Sequence, residues 1–164
     1  MNGIEELLNE DELLEKYMNL ALDNARASLP EDVPVGVVVL DITSGEIIGS
    51  GGNSTETKSD PTNHAEIVAI KQACEHIGDW RLNNCILFST LEPCVMCAGA
   101  LFQSRIGALV YGTHDRQYGA AGSIYDFLSD SRLNHNAPTR RGILEEQCKS
   151  LLDEFFFKLR NAKK

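Results

Sequence analysis

Leu91-Glu92-Pro93-Cys94-Val95-Met96-Cys97-Ala98, residues 91–98, sets the fold and the chemistry of this chain. The proline suits a helix entry. Two thiols three residues apart on the first helical turn can face one ion, and the amide end of a helix favours thiolates. Alone, such a pair reads equally well as a redox couple. Asp60-Pro61-Thr62-Asn63-His64-Ala65-Glu66-Ile67 repeats the design, with a proline and small polar residues leading into a helix. His64 adds one nitrogen ligand to Cys94 and Cys97. Three protein ligands with one open position form a catalytic zinc arrangement, whereas a closed structural site takes four. Cys74 and His76 lie further down the helix, so no fourth ligand is evident. A water acidified at the open position needs a proton carrier. Glu66 lies about 200° around an ideal helix from His64. At the first turn His64 can reach the metal from the helix end while Glu66 flanks it from inside.

Outward from these motifs, helices alternate with short strands. Leu13, Leu14, Tyr17, Leu20, Ala21 and Ala25 recur at helical spacing and predict a helix over 10–28, capped by Asn9 with Glu12 at the capping-box position. Residues 35–40 are apolar and β-branched and predict a buried strand. After the turn residues 41–45, a second strand over 46–49 closes a hairpin, and 50–63 read as a polar loop. Further helices are expected over 64–76, 94–103 and 144–159, and strands over 85–89 and 106–111. A helical turn is expected at 124–128 and an extended piece at 135–139. The pattern predicts a single α/β domain over 1–164, with three α/β/α layers around a mixed, about five-stranded sheet.

Five cysteines, of which only Cys94 and Cys97 form a tight pair, point to a reducing compartment, by default the cytoplasm. Residues 1–12 lack the basic and apolar regions of a secretory signal, and no apolar run is long enough to span a bilayer. The net charge of −9 argues against non-specific nucleic-acid binding. The acidity is concentrated in residues 1–75, with four Lys/Arg against fifteen Asp/Glu. The last seven residues carry four cations and no acid, leaving room for a local basic face.

H-x-E followed by P-C-x-x-C is the signature of zinc deaminases acting on nucleobases. Together with Ser104-Arg105-Ile106-Gly107 and Gly119-Ala120-Ala121-Gly122-Ser123, the two motifs make the chain resemble bacterial tRNA adenosine deaminases over nearly its whole length. The resemblance implies the cytidine-deaminase-like fold and one zinc ion per subunit held by His64, Cys94 and Cys97, with Glu66 as the catalytic proton shuttle. It implies a homodimer acting on a tRNA anticodon loop, without membrane or DNA partners. Asn53 would hydrogen-bond the target base, the Ala65 amide would line the pocket, and Asp115 would lie near the RNA backbone. Tyr118 has two readings, a stacking platform or a surface tyrosine. Ser123 either donates to RNA or caps the next turn. The residues 155–157, three phenylalanines, read most simply as core and interface packing, the alternative being that exposed members meet a loop nucleotide. Two other functions fit the catalytic motif: deamination of a free base or nucleoside, and RNA binding without catalysis on the same fold.

Overall fold

A computed structural model describes residues 3–163; Met1, Asn2 and Lys164, the last cation of the basic tail, lie outside the described residues. Its elements are α1 (Gly3–Leu7), α2 (Asp11–Ala27), β1 (Gly36–Asp41), β2 (Glu46–Gly52), α3 (Thr55–Lys58), α4 (Ala65–Ile77), β3 (Cys85–Leu91), α5 (Val95–Gln103), β4 (Ala108–Thr113), β5 (Thr139–Arg141) and α6 (Glu145–Ala162). The strands form one five-stranded sheet in the order β2-β1-β3-β4-β5. β1 runs antiparallel to β2 and β3, while β3, β4 and β5 are parallel. The expected mixed sheet is therefore present.

Alternation along the strands builds two cores, one on each face. Val37, Val39, Leu87, Leu109 and Tyr111 pack with Ala65, Ala69 and Ala73 of α4 and Leu101 of α5. Val38, Leu40, Ile86, Phe88 and Val110 pack with Leu14, Met18 and Leu22 of α2 and Cys148 of α6. Central strands covered on both faces need apolar residues at nearly every position, which explains their unbroken hydrophobic runs.

Local details depart from expectation. Asn9 does not cap α2. The unforeseen helix α1 precedes it, and the Asn9 amide donates back to the Glu5 carbonyl at 2.8 Å. Residues 55–58, expected as loop, form α3 because the buried Asp32 carboxylate accepts from the Glu56 and Thr57 amides. Residues 124–128 form no helical turn. Ala121 and Asp126 make an antiparallel bridge there, and the Gly122 amide donates to the Tyr125 carbonyl. β4 starts two residues late because the Ile106 amide closes α5 on Leu101 and the Gly107 amide donates to Leu82 and Cys85. The extended piece expected at 135–139 becomes β5, shifted towards the C-terminus, where it pairs with Leu109, Val110 and Tyr111. Two of the three phenylalanines are not core: Phe156 is 39% and Phe157 60% exposed, while Phe155 is partly buried. No described helix is long and apolar enough to cross a membrane.

The glycines of β2 fix where α4 begins. A Cβ at Gly51 would stand 2.7 Å from the Ala65 carbonyl oxygen and 2.9 Å from the Val68 Cβ, and one at Gly49 2.3 Å from the Ala69 carbonyl oxygen. The helix therefore lies against bare backbone. Gly51→Ala is expected to push the first turn of α4 outward, at a cost of ~1–3 kcal/mol. It should lower Tm and speed metal release to a chelator. Unchanged values of both would mean that the strand does not grip the helix.

Candidate active site

The ends of β2, β3 and β4 and the start of β1 share one edge of the sheet, because Gly36 pairs with Gly52 and β3 runs parallel to β4. Ligands of open α/β sheets collect beyond the carboxyl ends of parallel strands. A cleft of about 950 Å³ opens at this edge. α4 and α5 both point their N-termini into it. His64 is the N-cap of α4, in extended conformation, so its ring leaves the helix axis towards the cleft while Ala65 and Glu66 form the first turn. Cys94 is the N-cap of α5 and Cys97 lies in its first turn.

The His64 Nδ1 atom lies 3.6 Å from Cys94 Sγ and 3.5 Å from Cys97 Sγ. Zinc at ordinary bond lengths, near 2.0–2.1 Å to nitrogen and 2.3 Å to sulfur, sets a tetrahedral N···S edge of about 3.6 Å. The His64 ring thus stands from each thiol at the separation a tetrahedral ion requires. All three ligand atoms lie within 4.8 Å of one another, and among the described residues no other His, Cys, Asp or Glu joins the group.

Protonation follows from the contacts. Hydrogen bonding from the Cys97 thiol, with help from His64, holds Cys94 down at about 4. Its bond to Cys94 raises Cys97, and the Cys94 contact also raises His64. A metal bound here competes with protons for these three side chains. Glu66 is 4% exposed. Burial pushes its carboxyl up to about 6. By contrast, Cys85 and Cys148 are isolated in the core and pushed to about 12 by burial, as befits packing residues.

The cytidine and deoxycytidylate deaminase zinc-binding region matches residues 11–113. A tRNA-specific adenosine deaminase of Haemophilus influenzae is 44% identical over 92% of this chain and 87% of its own. That of Bacillus subtilis is 40% identical over 96% and 95%. The chain belongs to the tRNA-specific adenosine deaminase family of zinc-dependent deaminases. A solved structure from work on A-to-I editing by tRNA deaminases at the wobble position of transfer RNA superposes with a TM-score of 0.78 at 40% identity, covering 84% of this chain and 99% of that one. The deaminase's His64, Cys94 and Cys97 form its zinc site.

Around that site the structure distributes the other expected residues unevenly. Asn53, Ala65, Asp115 and Tyr118 line the cleft. The Asn53 amide already donates to the Val33 carbonyl at 3.2 Å and its oxygen accepts from the Thr55 hydroxyl at 2.9 Å. One N–H remains for a ligand. The Asp115 carboxylate accepts from the Gln117 and Tyr118 amides and shapes its own loop. Tyr118 is 66% exposed at the cleft wall. Ser123 is not brought to the cleft; its hydroxyl donates to the Glu92 carboxylate. Asn63 donates to the Ser54 hydroxyl and ties the approach of His64 to α3.

Sequence reasoning gives no role to His114 or Lys149 and favours packing over a cleft position for Phe156. His114 borders the cleft, and Lys149 and Phe156 bring α6 over it. The helical spacing of Lys149, Leu152, Asp153 and Phe156 is a signal for one cleft-facing stripe. Glu92, two residues before the ligand Cys94, is buried as a carboxylate. Burial alone would raise it, but Ser123 and three backbone amides hold it below its usual range.

Proposed function

We propose that this deaminase converts adenosine to inosine at the wobble position of tRNA anticodons, with Glu66 as the proton shuttle. The observation that carries the reading is the three-ligand zinc cluster opening on a broad cleft beside a buried carboxylate. Zinc there supplies Lewis acidity that makes water a nucleophile near neutral pH. Glu66, raised by burial to about 6, suits both directions of proton transfer. It takes a proton from the water that attacks C6 of adenine and delivers one to ring N1. Glu66 then carries the C6 hydroxyl proton to the exocyclic amine, which leaves as ammonia as the C6 carbonyl forms, and inosine remains. The free N–H of Asn53 and the Ala65 backbone at the cleft wall orient the base.

RNA is favoured over a free base by the size and rim of the cleft. Its volume is near the upper end for small-molecule sites. Tyr118 and Phe156 at its wall offer stacking faces for bases beside the target, and Arg116 and Lys149 offer cations for phosphate. An anticodon loop is already single-stranded, so turning the base into the cleft costs less than from a duplex. A homodimer fits the apolar side chains left about half exposed at the start of α5, Val95, and in the loop after β4, Ile124 and Tyr125. Cytoplasmic action fits five cysteines of which none is in a disulfide.

Incubation with unmodified tRNA, an anticodon stem-loop and a panel of free bases, followed by inosine and ammonia measurement, tests the reading. Inosine in the RNA is the expected result. Turnover of free guanine or cytidine with no inosine in the stem-loop would replace it with free-base deamination. Bound zinc with no deamination of any substrate would leave an RNA-binding role.

A further inference from the structure

The Glu92 side chain is wholly buried, and among the described residues no Lys or Arg is paired with it. Its Oε2 accepts from the Asp115 amide at 3.0 Å and from the Ser123 hydroxyl. Its Oε1 accepts from the Ala121 amide at 3.1 Å and the Ser123 amide at 2.9 Å. The nearest group able to carry positive charge is the His114 ring, whose Nδ1 lies 3.5 Å from Oε2. Burying a carboxylate costs several kcal/mol unless its lone pairs are filled. Here they are filled by donors from both ends of one loop, more than twenty residues away in sequence.

The same strip of backbone holds that loop a second time. The Pro93 carbonyl accepts from the Ala120 amide at 2.8 Å, the Glu92 amide donates to the Thr113 carbonyl at 2.9 Å, and Cys94 bridges Gly119. Gly119 is required there, since a Cβ would stand 2.5 Å from the Glu92 carboxylate. Residues 92–94 thus carry the metal ligand Cys94 on one side and the loop that presents Asp115, Arg116 and Tyr118 to the cleft on the other.

We infer that Glu92 is a positioning residue for the substrate: it fixes the 115–118 wall at a set height above the zinc ligands, so that binding of an extended substrate depends on it while proton transfer at Glu66 does not. The inference rests on the cleft being the substrate site, and one of its readouts needs no substrate. In Glu92→Gln the Oε2 acceptor or its equivalent becomes a donor facing N–H and O–H donors, so one end of the loop is released.

The test combines limited trypsin digestion, zinc content and steady-state kinetics on an anticodon stem-loop. Glu92→Gln should retain its zinc and be cut after Arg116 about tenfold faster than the unaltered protein, the change expected for release of one charge-assisted contact. KM should rise about tenfold with kcat changed less than about threefold, the signature of lost substrate binding. Ser123→Ala, which removes one hydroxyl donor and keeps the amides, should move cleavage and KM in the same direction by less. It decides the matter if Glu92→Gln does not fold. Unchanged cleavage at Arg116, or a fall in kcat at constant KM, overturns the inference. Faster cleavage at Arg116 in a protein that deaminates no RNA would uphold the loop anchor and sink the substrate reading instead.

Discussion

Glu66→Gln protein is expected to bind one zinc per chain and to lose deaminase activity by a factor of about 10³, within the range of 10²–10⁴ that a positioned acid–base group supplies. The amide keeps the shape and hydrogen-bonding reach of the carboxylate but cannot accept and return a proton. It should not be destabilising, because burial already penalises the charged form of Glu66. Zinc content and melting temperature therefore serve as internal controls, and the loss is read in kcat. A variant with most of its activity intact would remove Glu66 from the reaction.

Cys94→Ala should do what Glu66→Gln does not, and lose metal and activity together. Cys94 supplies one of the two thiol ligands, and its contacts with Cys97 and His64 favour its anionic form. Without it only His64 and Cys97 remain of the three ligands, too few to hold the ion in a tetrahedral site. Zinc affinity should fall by more than about 100-fold, exceeding the 10–100-fold effect of losing a supporting residue behind a ligand, and little zinc should survive desalting. Metal content equal to that of the unaltered protein would take Cys94 out of the ligand set.

The site is legible in sequence because its geometry is local. His64 and Cys94 each follow a small-residue or proline entry, and a helix N-cap points its side chain off the axis. Spacing of one and two residues between functional groups then suffices to place Ala65, Glu66 and Cys97. The sheet is legible because burial on both faces writes continuous apolar runs into β1, β3 and β4. The rest depends on contacts distant in sequence. α3 exists because of Asp32, more than twenty residues before it. The path of 119–123 is dictated by Glu92, and Ser123 is consumed by the same carboxylate. Phe156 looks like core by composition alone. Its helical spacing with Lys149, Leu152 and Asp153 is the signal that sets it on the cleft-facing stripe of α6.

Zinc K-edge X-ray absorption of the purified protein bears most directly on the ligand set. Two sulfur scatterers near 2.3 Å and two lighter ones at about 2.0–2.1 Å, one of them the His64 ring, are the expected shell. A third sulfur, or a second imidazole in place of solvent, would show a closed structural site and contradict the deaminase chemistry.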